Sequence, residues 1–144
     1  MDKQWQDALD SCNCLDISGH ADWRLPSVEE LLSLIDRTQE SPALPFGHPF
    51  SGGPASHHYW SSSNDAFDAD YAWYVSIHSG DADTSSKMVE GIVFPVRGGR
   101  FDTDGNLVIP GKPGNMPRFT NNGNGTITDN RTGLMWIEDL KGLV

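Results

Sequence analysis

Five aspartates lie in two polar stretches of the chain, and their type and spacing suit the binding of a hard cation. Ca²⁺ takes about six to eight oxygen ligands, and acidic loops supply several of them. We predict that the two stretches are loops on either side of one strand, and that the hairpin makes them neighbours. The aspartates are Asp65, Asp68 and Asp70 in the first loop and Asp81 and Asp83 in the second.

The predicted calcium ligands are Asp65, Asp68 and Asp70, with an affinity of about millimolar at best. The wider set of predicted ligand-binding residues adds Asn64, Asp81 and Asp83, because loops held by a rigid scaffold commonly carry binding residues. The alternative interpretation is that both loops are solvated acidic turns. We therefore expect either calcium or no cofactor.

Catalytic chemistry has no recognisable pattern in this sequence. A nucleophile needs a neighbouring base, and acid–base catalysis by carboxylates needs a pair in an apolar pocket. Cys12 and Cys14 are separated by one residue, so a disulfide between them would be strained. His57 and His58 lack further ligands at the spacing of a zinc site. We predict no catalytic residues and no enzyme activity.

Composition and charge exclude several classes of partner. The chain has 144 residues and a formal net charge of −10 at pH 7, and this length suits one domain with its own core. Proteins that bind nucleic acid present Lys and Arg to the phosphates, so no nucleic-acid partner is predicted. No apolar run approaches the ~20 residues of a membrane span, so no membrane insertion is predicted.

The stretch from Asp22 to Asp36 is the best-defined element, and the rest of the chain is organised around it. Ser27 and Glu30 have the spacing of a capping box. Apolar residues then repeat at helical spacing and predict a helix of about three turns; they are Val28, Leu31, Leu32 and Ile35. Arg24 is predicted to be a partly buried structural arginine paired with Glu30 or Asp36.

The remaining elements are predicted from periodicity and from Gly and Pro. We expect a first helix, three strands, a Gly- and Pro-rich linker with a hairpin at Asp104-Gly105, and two terminal strands. These elements are expected at residues 1–15, 57–63, 71–78, 91–97, 98–117, 126–128 and 134–137. In the second strand, one face is expected to hold Tyr71, Trp73, Val75 and Ile77.

Four tryptophans are assigned structural roles. Trp23, Trp60 and Trp73 lie in periodic segments, which favours core positions, and Trp136 lies in the last predicted strand. The alternative for the first three is that their rings stack on sugars.

Several motifs occur in a specific order along the chain. WQDALDSC is followed by GHADWRLPSVEEL, YWSSS, AWYV and FPVRGG, and NGNGTITDNRTGLMW comes near the end. This set resembles the bacterial Lcl C-terminal domain family, which is named for a collagen-like adhesin. The resemblance covers Trp5 to Gly99 and Phe119 to Trp136. The last motif resembles the segment that opens the family's domain, so the order is rotated.

The resemblance implies an α+β, C-type-lectin-like fold, with two helices packed on a twisted, mostly antiparallel sheet and long loops on one side. We expect residues 1–99 to form the main part of this domain and residues 100–118 to form a linker. Residues 119–144 would be a hairpin that completes the fold in the same chain or in a domain-swapped partner.

The resemblance also implies a function without catalysis. Many members of the family are exported, lie in tandem arrays and have no known activity, and the adhesin is associated with sulfated polysaccharides. The charge of −10 and the lack of a basic cluster argue against such a polyanion here. We predict a binding or adhesion module for a glycan or protein, located outside the cytoplasm, although no signal peptide is recognised. The alternatives are a structural tandem repeat without a ligand and, third, an enzyme.

Overall fold

The computed structural model describes residues 2–53, 58–109 and 114–142. Two helices and two mostly antiparallel sheets confirm the α+β class. The helices are α1 (Trp5–Asn13) and α2 (Val28–Leu34), and a 3-10 turn spans Leu140–Gly142. The strands are β1 (Asp2–Lys3), β2 (His58–Asn64), β3 (Tyr71–Ser76), β4 (Ala82–Ser86), β5 (Gly91–Ile92), β6 (Val96–Gly98), β7 (Phe119–Asn121), β8 (Thr126–Asp129) and β9 (Leu134–Ile137).

The first sheet has the strand order β1-β5-β2-β3-β4. Strands β2, β3 and β4 form an antiparallel meander, and β5 pairs with β2 in parallel. Strand β3 contributes to two apolar clusters, Val75 to the main one and Ala72 to a smaller one. The expected single apolar face is therefore wrong in part: Trp73 is half-buried and Tyr71 is exposed. The alternation of residues in the sequence identifies a strand. It does not show how much of each face the rest of the fold covers.

The second sheet has the order β6-β9-β8-β7 and joins the chain's last hairpin to residues before Gly99. Val96 pairs with Trp136, and Arg97 pairs with Met135. The predicted strand over 91–97 is divided into β5 and β6, with Pro95 between them. Proline has no N–H to donate to a sheet ladder, which explains the interruption.

Helix α2 begins at the predicted capping box. The Glu30 N–H donates to Ser27 Oγ at 3.2 Å, and the Ser27 N–H donates to Glu30 Oε1 at 2.8 Å. The helix is seven residues long, shorter than the expected three turns. Ile35 is already extended, and the Asp36 N–H donates to the Ala43 carbonyl at 2.8 Å. The helix therefore ends before Ile35, because the backbone after it is hydrogen-bonded to the following loop.

The main core lies between α2 and the two sheets. Trp23 and Trp136 are buried in it, with 1% and 0% exposure, and Trp60 is buried in the smaller cluster with Trp5. Residues of the last hairpin and of the 3-10 turn also belong to the main core; they are Leu134, Trp136, Ile137 and Leu140. The hydrophobic core therefore includes residues from both parts of the chain that flank the Gly- and Pro-rich stretch.

The Gly- and Pro-rich stretch predicted as a linker has local structure where it is described. Gly98 belongs to β6, and Phe101 forms an isolated β-bridge with Leu107. The Gly105 N–H donates to the Asp102 carbonyl at 3.1 Å, so the turn predicted at Asp104-Gly105 is present. Residues 110–113 of the predicted linker and His57 of the predicted first strand lie outside the described residues.

Candidate functional site

The two acidic loops lie at opposite ends of β3, so the expectation that they are neighbours is wrong. The first loop joins β2 to β3, and the second joins β3 to β4. Both pairings are antiparallel, and successive turns of a meander lie at alternate ends. At ~3.3 Å per residue, the six residues of β3 separate the loops by roughly 17 Å.

The loop of residues 65–70 is fixed by hydrogen bonds of its own. Asp65 Oδ1 accepts from the Phe67 N–H and Asp68 Oδ1 accepts from the Asp70 N–H, both at 2.9 Å. The Asp65 N–H donates to the Tyr71 carbonyl, and the Tyr71 N–H donates to the Asp68 carbonyl, both at 3.1 Å. Two of the three predicted calcium ligands therefore cap the backbone of their own loop.

Lys87 joins this loop to the turn after β4. Its Nζ donates to Asn64 Oδ1 at 2.7 Å and to the Ala69 carbonyl at 2.6 Å, and it lies 4.1 Å from the centre of the Trp5 ring. Its backbone N–H donates to the Asp70 carbonyl at 2.8 Å. The loop, the turn and α1 thus share one lysine, and Asn64, a predicted ligand residue, holds that lysine in place.

Apolar side chains are exposed on this loop and on the adjoining turn. Phe67 is 98% exposed and Met88 is 71% exposed, although the backbone N–H of each is hydrogen-bonded, to Asp65 Oδ1 and to Ser86 Oγ respectively. Val89 and Tyr71 are also exposed. We call residues 65–71 together with residues 87–90 the Phe67 face.

Sequence reasoning missed Phe67, Met88 and Lys87. The available signal was an aromatic residue between two turn-forming aspartates, without apolar neighbours at strand or helix spacing. Such a residue has no predicted core face, so it is a candidate for a displayed side chain.

The second acidic loop has other partners. Asp81 Oδ1 accepts from Arg37 at 3.1 Å, and this bond, with the Ser79 hydroxyl, holds the pKa of Asp81 below its usual value. Asp83 was expected in this loop, but it lies in β4 opposite Tyr74, and its Oδ1 accepts from the Thr84 N–H at 2.8 Å. The structure does not place these two residues with the other predicted ligand residues.

Within residues 2–53, 58–109 and 114–142, no group of three or more His, Cys, Asp or Glu side chains has an arrangement that could hold a metal. Calcium binding at Asp65, Asp68 and Asp70 remains a prediction, and it would need oxygen ligands beyond these carboxylates. Among the same residues, no helix has both the length and the apolar character needed to cross a membrane.

The segment before α2 is a structural junction. Arg24 Nη1 and Nη2 donate to the two carboxylate oxygens of Glu30 at 2.6 and 2.7 Å, and Glu30 is 1% exposed. Nη2 also donates to the Gly98 carbonyl at 3.0 Å, and the guanidinium lies 5.7 Å from the centre of the Phe101 ring. Of the two partners predicted for Arg24, the structure selects Glu30. This arginine connects α2, β6 and the turn that follows β6.

A small cavity of about 100 Å³ is lined by residues that do not belong to the Phe67 face. Its wall includes Leu44, Phe50 and Leu140, with His48 and Tyr59 as polar groups. Burial lowers the pKa of His48 and raises the pKa of Tyr59 to about 12. Both groups are therefore neutral near pH 7, and the cavity presents no charge to a ligand.

The described residues define an α+β domain that presents an exposed aromatic side chain on a hydrogen-bonded loop. The chain belongs to the Lcl C-terminal domain family, whose model matches residues 1–97. This result confirms the resemblance for the motifs up to Arg97, whereas the motif near the end of the chain lies outside the match; the family is not known as enzymatic. The match contains the whole Phe67 face and ends within β6. Searches of curated proteins and of solved structures gave no match to this chain.

Proposed function

We propose that this protein is a non-enzymatic binding module whose ligand contacts the Phe67 face. The observation that supports the proposal is the 98% exposure of Phe67 on a loop fixed by six hydrogen bonds within residues 65–71 and from Lys87. A large apolar side chain that is displayed and pre-organised loses little entropy on binding, so it can contribute strongly to affinity.

The finer features of the proposal come from the family resemblance. The fold would be C-type-lectin-like, and the module would belong to an exported or surface protein of a bacterium that adheres through a glycan or protein ligand. The charge of −10 supports a ligand that is not a nucleic acid.

Phe67→Ser is the direct test, measured on glycan and protein arrays with and without about 10 mM Ca²⁺, a concentration above the range of extracellular calcium modules. We expect the variant to lose the signals of the wild type while its melting temperature is unchanged. Phe46→Ser is the matched control, because Phe46 is 93% exposed and lies outside the Phe67 face. Equal binding by Phe67→Ser and the wild type would refute the proposal. A melting temperature that does not respond to Ca²⁺ would remove calcium from it.

The second candidate function is a structural repeat without a ligand. It is favoured by the pairing of β6 with β9, because the same pairing could join neighbouring repeats or a domain-swapped partner. A protein that is silent on all arrays, and whose oligomeric state rises with concentration, would favour this candidate over the first.

A further inference from the structure

We infer that the partner of the Phe67 face is a positively charged protein segment that carries an apolar side chain, and not an anionic or sulfated glycan. The inference rests on the proposed function and names the chemical class of its ligand. It follows from three observations: the distribution of charge along the chain, the hydrogen bonds that already engage Lys87, and the exposed apolar side chains.

The negative charge belongs to one part of the chain. Residues 1–97 contain 5 Lys and Arg and 15 Asp and Glu, so this part carries the whole formal net charge of −10. Residues 98–144 contain 5 Lys and Arg and 5 Asp and Glu, so their formal net charge is zero. The Phe67 face lies in the charged part, and the field that a partner meets there is negative.

The Phe67 face carries four carboxylates in the same two segments as its exposed apolar side chains. Asp68, Asp70 and Glu90 are exposed and Asp65 is partly exposed. No ion pair involves these four residues in the described part of the chain, where the recorded pairs use other acids. Carboxylates at the rim of a binding surface favour a partner of opposite charge and increase its rate of association.

The one basic residue in the sequence of the face is already engaged. Lys87 donates to Asn64 Oδ1 and to the Ala69 carbonyl and lies over the Trp5 ring. Moving Lys87 onto a sulfate or phosphate would break the bonds that fix the loop. An anionic ligand would therefore meet four carboxylates without an available cation, and this arrangement opposes its binding.

The apolar side chains give the partner a place to anchor. Phe67, Met88 and Val89 are 98%, 71% and 45% exposed. Aromatic and methionine side chains are enriched at protein interfaces, where they contact apolar groups and the stems of Lys and Arg. A cationic segment with one apolar residue would complement both the carboxylates and the exposed apolar side chains of the face.

Selection from a random-peptide display library on the 144-residue chain tests the inference. We expect enriched peptides to contain Lys or Arg next to an apolar residue. Their affinity should fall between about 0.1 M and about 1 M salt, because the screening length shortens from about 10 Å to about 3 Å. Phe67→Ser should weaken them about thirtyfold, the loss expected at an interface hot spot.

A charge variant separates this inference from simple hydrophobic adhesion. Asp65→Asn, Asp68→Asn and Asp70→Asn together keep the oxygens that cap the loop, and should weaken the peptides about tenfold at low salt and flatten their salt dependence. The matched control is Asp10→Asn, Asp16→Asn and Asp104→Asn, which removes the same charge from exposed positions off the face. That control should bind like the wild type.

Three outcomes would overturn the inference: no enriched peptides, enriched peptides without basic residues, or peptides that bind equally to both triple variants. Binding of an array glycan that is lost in Phe67→Ser, without any basic peptides, would refute the inference and leave the proposed function intact. Binding that Phe67→Ser does not change would refute both.

Discussion

Residues 1–97 and the C-terminal residues 119–142 contribute different properties to the same fold. The first region matches the family and contains 15 of the 20 Asp and Glu residues and the Phe67 face. The second has no exposed acidic loop of this kind, but it supplies Leu134, Trp136, Ile137 and Leu140 to the main core. The comparison shows that the family match ends before the hydrophobic core does, whereas the candidate binding chemistry lies inside the match.

Replacing a core tryptophan in either region should reduce the free energy of unfolding more than any other substitution considered below. Trp136→Ala and Trp23→Ala should each lower the free energy of unfolding by about 3–5 kcal/mol, because each removes a fully buried indole and leaves a cavity. Chemical denaturation with urea measures both. Similar losses would show that the C-terminal hairpin shares one cooperative core with the family-matching region.

The control for this prediction is Phe46→Ala, which removes an aromatic side chain that is 93% exposed and should change stability by less than about 0.5 kcal/mol. A Trp136→Ala protein with the stability of the wild type would contradict the conclusion that the two regions share one core. The hairpin would then be a separate piece attached to a fold that is complete without it.

Each region also contains one buried carboxylate that is paired with an arginine, and the loss of these arginines should give the next largest effect on stability. Arg24 binds Glu30, which is 1% exposed, and Arg118 binds Asp129, which is 0% exposed. Arg118 also donates to the Ser33 carbonyl at 2.6 Å, which links the hairpin to the end of α2. Arg24→Ala or Arg118→Ala leaves a buried charge without its partner and should cost about 3 kcal/mol.

Arg37→Ala is the matched control for both arginines, because the Arg37–Asp81 pair is exposed on both sides and should contribute less than about 1 kcal/mol. Thermal and urea denaturation of the three variants measure the order. A cost for Arg118→Ala as small as that for Arg37→Ala would mean that the hairpin is not held to α2 by this pair.

Local patterns in the sequence were sufficient to predict the structural elements that are determined by residues close together in the chain. Ser27 and Glu30 predict the capping box because the motif closes within one turn, and the strand pattern around Val75 predicts β3. The end of α2 could not be predicted, because the Asp36 N–H pairs with Ala43, and Ala43 in turn pairs with Ile77 much further along the chain. The half-buried state of Trp73 depends on how much of β3 the rest of the fold covers, which its own period does not encode.

The candidate site was predicted in part. The loop from Asn64 to Asp70 was identified by its acidic turn residues, but its pairing with the loop at Asp81 was wrong, because meander topology puts successive turns at opposite ends. The role of Phe67 depends on its exposure, and the role of Lys87 depends on contacts with Asn64, Ala69 and Trp5. Contacts between residues so far apart in sequence are set by the fold and cannot be read from spacing.

The smallest expected effect comes from an exposed ion pair that joins the family motif to the strand next to the hairpin. Arg97 Nε donates to Asp22 Oδ1 at 2.6 Å, and Arg97 lies in β6, opposite Met135 of β9. The hydrogen bond from Arg97 holds the pKa of Asp22 below its usual value. A carboxyl with a lowered pKa in the folded state stabilises the fold above its unfolded pKa of about 3.9, and this contribution is lost as the pH falls through the folded pKa.

Asp22→Asn should therefore lower the melting temperature slightly at about pH 7, and the difference from the wild type should shrink as the pH falls through the lowered pKa of Asp22, because the protonated carboxyl and the amide are both neutral. Melting curves at constant ionic strength across this range measure the effect, and Asp104→Asn is the control for removing an exposed acid. A difference that persists unchanged at the acid end would show that the introduced amide disturbs packing between the motif and β6. The ion pair would then have no part in joining the two regions.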